Sequence, residues 1–138
     1  MSTTNPHLTK QRIYEQFARI GKALAAPGRL ELIDLLSQGE RPVDALAREA
    51  AMSIANASQH LQVLHAARLV ETRREGQRIF YRLAAASVVT LWLALRNTAE
   101  GQLAELSAVA RDYLGAPDDF EPIERDELAR RILSLIHI

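Results

Sequence analysis

The segment that most constrains the fold is residues 41–83, where two short helical patterns are followed at once by a hairpin pattern. Residues 42–50 have apolar side chains at helical spacing. A second helix is predicted to begin at Ser53, whose hydroxyl can accept from backbone amides of the first turn. Residues 70–74 and 77–83 then predict two strands. Helix, turn, helix and hairpin together predict a mainly α winged helix-turn-helix with a small β-hairpin.

Two further helices are predicted before this segment, over residues 10–25 and 27–38, with Gly39 ending the second. One face of the first helix is predicted to be buried, and its apolar residues are Ile13, Phe17, Ile20 and Leu24.

A long last helix is predicted over residues 85–113, although Gly101 weakens its middle. At about 1.5 Å per residue it would span roughly 43 Å, more than a compact domain of this size needs. We therefore expect it to pack against a second copy of the chain. The residues expected to form the dimer interface are Ile13, Phe17, Leu91, Trp92, Leu95, Leu103, Leu106 and Tyr113.

The helix that begins at Ser53 has an apolar side and a polar side. Rotating 100° per residue, we expect the inward residues to be Ile54, Ala57, Leu61, Leu64 and His65. Small residues, amides and hydroxyls on the outward side suit entry into the DNA major groove. The candidate DNA-binding residues of this helix are Ser53, Ala55, Asn56, Ser58, Gln59, His60 and Gln62.

Asn56 and Gln59 could each pair with an adenine edge in bidentate fashion, or could simply be solvated polar residues of a surface helix. His60, at the flank of the helix, could either reach a phosphate or cap the neighbouring helix.

The hairpin, or wing, is expected to turn at Glu75 and Gly76. Its candidate DNA-binding residues are Arg73, Arg74, Gln77 and Arg78. Guanidinium groups beside a tight turn can reach the backbone or minor groove, although a solvated hairpin tip would look the same. Residues 53–82 hold five Arg against two Glu, while residues 100–131 hold four Arg against nine acids. This asymmetry is typical of an oriented DNA-binding protein.

Composition excludes several other classes of site. The chain has no cysteine, which removes disulfides, thiolate metal sites and thiol nucleophiles. No apolar run reaches about 18 residues and no export signal is recognisable, so a cytoplasmic protein without a membrane partner is expected. We found no Ser-His-acid order, phosphate loop or metal cluster that supports an enzyme, and we expect no cofactor.

Residues 23–83 resemble the ArsR family of winged-helix repressors, through LAAPGRLELIDLL and SIANASQHLQVLHAARLVETRREGQRIFYRL. The resemblance implies a dimeric repressor that binds operator DNA and is released by a signal. Metal-sensing members carry Cys-Val-Cys where this chain has Pro42, Val43 and Asp44, and another type uses histidines on the last helix, where residues 85–113 have none. Metal sensing is therefore not expected.

The expected organisation is a DNA-binding and dimerisation domain over residues 1–114, a linker over 115–123 and the start of another domain over 124–132. The linker and ERDELARRI resemble the junction of ArsR proteins that continue into a rhodanese domain, a sulfur-transfer fold. Residues 133–138, LSLIHI, translate a sequence resembling a transposase-adapter end, so we interpret them as read-through rather than as an ordinary helix end.

Two functions remain in competition at this level. The first is a homodimeric, sequence-specific transcriptional repressor whose signal is sensed by the sulfurtransferase-like domain. The second is a dimerising or docking module of a rhodanese sulfurtransferase that does not touch DNA. The operator, the signal and the direction of regulation are not encoded in any pattern we recognise.

Overall fold

The computed structural model describes residues 5–103, 108–109, 112 and 130, and the chain divides into two compact units, Met1–Trp92 and Leu93–Ile138. The elements in chain order are α1 (Pro6–Leu24), α2 (Pro27–Ser37), β1 (Arg41–Pro42), α3 (Val43–Glu49), α4 (Ile54–Ala66), β2 (Val70–Glu75), β3 (Arg78–Leu83) and α5 (Ala86–Gln102). Helices α3 and α4 form the helix-turn-helix, and β2 and β3 form the wing. This confirms the predicted fold class.

The sheet has a third strand that the sequence did not predict. Its order is β1-β3-β2, all antiparallel, with Arg41 opposite Tyr81 and Pro42 opposite Phe80. A two-residue strand containing proline has no recognisable periodicity, which explains why it was missed. The pairing attaches the wing to the segment just before α3.

The core of the first unit is built from α2, α3, α4 and the start of the wing. Its most deeply buried large side chains are Leu32, Ile33, Leu46, Leu61, Leu64 and Val70. Asp34 is the buried polar residue of this core, and its Oδ1 accepts a hydrogen bond of 2.8 Å from Trp92 Nε1. Because a buried carboxylate needs such donors, Trp92 ties the first half of α5 to α2. Trp92 therefore packs against the core of its own chain, and its place in a dimer interface stays a prediction.

Helix α1 begins earlier than predicted, at Pro6, with the Asn5 side chain accepting from the amide of His7. Within this chain, the face predicted to be buried is buried only toward the carboxyl end of the helix. Ile13 and Phe17 are 50% and 63% exposed, whereas Ile20 and Leu24 pack against the core. Only the carboxyl-terminal part of α1 has core residues beside it.

The last helix is interrupted within its predicted span. Helix α5 ends at Gln102, one residue after Gly101, and Leu103 is not helical. Glycine costs about 1 kcal/mol relative to alanine in a helix interior, which accounts for an interruption at this place. The 17 residues of α5 span roughly 26 Å. Residues 108–109 and 112, also within the predicted span, are helical. Leu106, Tyr113 and most of residues 115–138 lie outside the described residues.

Helices long and apolar enough to cross a membrane do not occur in the described part of the chain.

Candidate nucleic-acid interface

Helix α4 is held with one side in the core and the other in solvent. Ala57, Leu61 and Leu64 have no exposed surface, which fixes the rotation of the helix. The Ser53 hydroxyl accepts a hydrogen bond of 3.0 Å from the amide of Asn56, as expected of an N-cap. The predicted burial of Ala57, Leu61 and Leu64 and the predicted N-cap at Ser53 are confirmed.

The outward side of α4 presents the residues predicted for it. Ala55, Asn56, Gln59 and Gln62 are exposed, and Ser58 is half-buried. Ala55 contributes only a methyl group, and the side-chain amides of Asn56 and Gln59 beside it are exposed to solvent. The arrangement can present hydrogen-bond donors and acceptors to the edges of bases in a groove.

Two residues predicted to face inward do not. Ile54 is 56% exposed and His65 is exposed. The buried series starts at Ala57 and stops at Leu64, so the first and last residues of α4 extend past the core. At the carboxyl end a polar imidazole gains more from water than from burial.

His60 lies against the start of α2. Its Nδ1 is 3.4 Å from the guanidinium Nη1 of Arg29, and Arg29 also donates to the carbonyls of Ala23 and Lys22 at the end of α1. A Cβ added at Gly28 would be 2.8 Å from His60 Nε2. This placement favours the second of the two alternatives for His60, contact with the neighbouring helix. Arg29, which joins the three helices, had no distinguishing signal in the sequence.

We therefore expect Gly28→Ala to destabilise the fold. The clash with the His60 ring should cost about 1–3 kcal/mol, against a gain of up to about 1 kcal/mol in helix propensity. Urea unfolding of Gly28→Ala, His60→Ala and the double variant measures the coupling. Gly28→Ala should be neutral or stabilising once His60 is alanine. If Gly28→Ala were equally tolerated in both backgrounds, His60 would not occupy this position.

The wing is a two-residue hairpin whose register sorts its side chains onto two faces. Glu75 pairs with Arg78 across the turn, so the turn residues are Gly76 and Gln77 rather than the predicted Glu75 and Gly76. Gly76 has φ 63°, a conformation that glycine adopts at little cost.

One face of the wing carries Arg73, opposite Phe80, together with Arg78. The guanidinium carbons of Arg73 and Arg78 lie 4.6 and 5.5 Å from the centre of the Phe80 ring. Both arginines also have carboxylate partners. Arg73 contacts Glu40 at 2.5 Å and Glu75 at 2.8 Å.

The second ion pair of this face joins the wing to α3. Arg78 donates to both carboxylate oxygens of Asp44, at 3.2 and 3.3 Å. The hydrogen bond from Arg78 lowers the pKa of Asp44, and the hydrogen bond to Glu40 raises the pKa of Arg73. Both arginines are thus paired with acids that lie outside the hairpin or at its turn. The sequence analysis did not identify Glu40 and Asp44 as partners of the wing arginines, because both residues lie outside the two segments, 53–82 and 100–131, whose charges were compared.

The other face of the wing carries Val70, which joins the core, and Arg74. Arg74 is exposed and, among the described residues, makes no ion pair. Gln77, in the turn, is exposed as well. The three wing arginines, which the sequence analysis assigned the same DNA-binding role, therefore differ in their ion pairs and in the face of the hairpin that they occupy.

Apolar side chains are exposed on α1 and α5. On α1 they are Leu8, Ile13, Tyr14 and Phe17, each at least half exposed, and Tyr14 packs edge-on against Phe17 with ring centres 5.6 Å apart. Of the other residues expected at a dimer interface, Leu91, Leu95 and Leu103 are 40%, 39% and 49% exposed.

The described residues contain no group of three or more His, Asp or Glu side chains arranged to hold a metal ion.

Residues 26–72, from α2 to the first residues of the wing, match the family model described as bacterial regulatory protein, arsR family. The chain is 37% identical over 95 residues to the biofilm growth-associated repressor of Xylella fastidiosa (strain 9a5c), covering 67% of this chain and 83% of that protein. The chain belongs to the ArsR family.

Two mycobacterial proteins are also similar to this ArsR-family chain. HTH-type transcriptional regulator Rv0324 of Mycobacterium tuberculosis (strain ATCC 25618 / H37Rv) is 45% identical over 122 residues, 88% of this chain. The chain spans 53% of the length of that relative. The solution NMR structure of the homodimeric winged helix-turn-helix DNA-binding domain of Mb0332 from Mycobacterium bovis has a TM-score of 0.67 and 41% identity, covering 76% of this chain and 95% of that one. The names of all three relatives describe DNA-binding or regulatory proteins rather than enzymes.

Proposed function

We propose that this chain is a sequence-specific, DNA-binding transcriptional repressor that acts as a homodimer. The observation that carries the proposal is the outward side of α4. There, Asn56 and Gln59 are exposed beside the small residue Ala55, on a helix anchored in the core by three fully buried residues, Ala57, Leu61 and Leu64. A rigid helix with free amides on one side is what direct reading of base edges requires.

In the proposed complex, α4 enters the major groove and the wing contacts the DNA backbone. Asn56 and Gln59 would supply about 1–3 kcal/mol of base discrimination each, with Gln62 further along the same side. Ser53 holds the first turn in place through its hydrogen bond to the Asn56 amide. His60 lies against α2, so its proposed role is to fix the helix beside Arg29 rather than to contact DNA.

The dimer is proposed to form through the exposed apolar side chains of α1 and α5. Ile13 and Phe17 point most clearly to an interface, because they are large and apolar yet exposed in the single chain. A polar residue would cost less at a position that stays in solvent. The similar domain of Mb0332 is described as homodimeric, which supports a second copy as the occupant. A twofold axis would present the two α4 helices to half-sites about 34 Å apart.

The proposal is tested by fluorescence anisotropy of the purified chain with a duplex from its own promoter region and with a scrambled duplex. We expect tighter binding to the promoter, and an affinity that falls by about 10³ or more between roughly 50 and 200 mM salt if six or more phosphates are contacted. Equal binding to both duplexes, or no salt-dependent binding to either, would contradict the proposal. Tolerance of Gln59→Glu in a reporter strain would instead favour the docking-module alternative.

We propose, second, that residues 124–132 begin a sulfurtransferase-like domain that senses the signal. Two observations support it: the resemblance of ERDELARRI and its linker to such junctions, and the greater length of Rv0324, of which this chain spans 53%. Sequencing the genomic locus past Arg131 tests the proposal. An open frame with a cysteine-bearing domain is expected, whereas LSLIHI followed by a stop codon would overturn it.

A further inference from the structure

The wing's arginines differ in their partners, and this difference bears on which of them can bind DNA. Arg73 has two carboxylates within 2.8 Å, and Arg78 has both oxygens of Asp44 within 3.3 Å. Arg74 has no ion pair among the described residues and is exposed. A guanidinium that already holds a carboxylate must give it up before it can hold a phosphate, so the three arginines are not equivalent ligands.

The two faces of the hairpin strengthen the distinction. Arg74 shares its face with Val70, and Val70 packs in the same core as Leu61 and Leu64 of α4. Arg73 and Arg78 lie on the other face, over Phe80, where Glu40 and Asp44 meet them. Arg74 is therefore on the face of the wing whose first residue packs in the same core as α4.

We propose that Arg74 is the phosphate-binding arginine of the wing, and that Glu40 and Asp44 withhold Arg73 and Arg78 from DNA. In this arrangement Arg73 and Arg78 are positioning residues that fix the hairpin against the segment before α3 and against α3 itself. Glu40 and Asp44 thereby limit the charge that the wing offers to any DNA sequence, which restrains non-specific binding. This inference rests on the proposed function, since it assigns roles within the same interface.

The exposed ion pairs need not be strong to have this effect. An exposed pair contributes about 0–1 kcal/mol, but Arg73 and Arg78 are also held over the Phe80 ring, which limits where their guanidinium groups can move. A carboxylate left behind would in addition repel the approaching phosphate. Arg74 meets neither obstacle.

The slope of log affinity against log salt, measured on the promoter duplex, tests the assignment. Each phosphate contact contributes about 0.9 to the slope, or about 1.8 for a dimer with two wings. We expect Arg74→Gln to reduce the slope by that amount. Asp44→Asn, which releases Arg78, should steepen it by a similar amount. Arg78→Gln with Asp44→Asn removes the pair at constant net charge and should leave the slope as in the unmodified chain.

Thermal unfolding of each variant checks that the winged domain remains folded. The inference is overturned if the charge-matched double variant loses as much slope as Arg74→Gln, since Arg78 would then be a phosphate ligand. It is also overturned if Arg74→Gln leaves the slope unchanged, or if Asp44→Asn fails to steepen it. If the unmodified chain does not bind the promoter duplex, the proposed function is wrong. If it binds and a variant gives one of the contrary slopes above, only the roles assigned to the wing arginines are wrong.

Discussion

Replacing Asn56 and Gln59 together with alanine is expected to lower affinity for the promoter duplex by about 30-fold to 10⁴-fold per half-site. Both amides are exposed on the outward side of α4, and each bidentate pair with a base contributes about 1–3 kcal/mol. Alanine favours the helix, and the Ser53 cap accepts from a backbone amide, so the fold should be unaffected.

The same double variant should keep its affinity for scrambled DNA, because phosphate contacts from the wing carry no sequence information. Anisotropy with both duplexes at one stated salt concentration measures the two effects separately. Gln11→Ala, a change to an exposed amide of α1, serves as the matched control. Equal losses on the two duplexes would mean that these amides do not read bases.

The second large effect is expected at the dimer interface. Phe17 is 63% exposed in the single chain, so Phe17→Glu removes little from the core. In a dimer, each buried phenylalanine contributes about 1.5–3 kcal/mol, and a symmetric interface contains two copies. We expect the dimer dissociation constant to rise by about 10²-fold to 10⁴-fold, or more, since a buried glutamate adds its own cost.

Sedimentation velocity over a concentration series measures this change, and circular dichroism reports whether the helices remain. Gln11→Glu introduces the same side chain at a polar, exposed position of the same helix and should leave the dimer intact. A monomer in the unmodified chain, or a dimer that survives Phe17→Glu, would show that α1 does not form the interface.

Much of the helix-turn-helix was predictable because its information is local. The Ser53 cap, the spacing of Ala57, Leu61 and Leu64, and the proline at the start of α2 all act within a few residues. The outward side of α4 followed from the same rotation. The existence of the wing also followed from local pattern, although its turn was misplaced by one residue.

What could not be predicted depends on residues distant in sequence. The pairing of β1 with β3 brings Glu40 beside Arg73, and α3 brings Asp44 beside Arg78, from 33 and 34 residues away. No pattern within the hairpin indicates these partners. Similarly, the hydrogen bond from Trp92 to Asp34 spans 58 residues and holds an expected interface residue against the core of its own chain.

The end of α5 was mispredicted although the relevant signal is local in sequence. Gly101 is a weak point of the predicted helix, but the apolar spacing on either side of it favours a continuous one. The helix ends at Gln102. The interruption at Leu103 lies two residues after this glycine, whose local cost is about 1 kcal/mol relative to alanine.

Site-directed DNA cleavage can show whether the outward side of α4 lies in the major groove. Because the chain has no cysteine, Ala55→Cys provides a single attachment point for a DNA-cleaving reagent without removing Asn56 or Gln59. Thr90→Cys, at an exposed position on α5, is the control. We expect cleavage from position 55 at two places about one helical turn apart in the promoter duplex, and none from position 90. Equal cleavage from both positions, or cleavage from position 90 alone, would contradict this placement of α4.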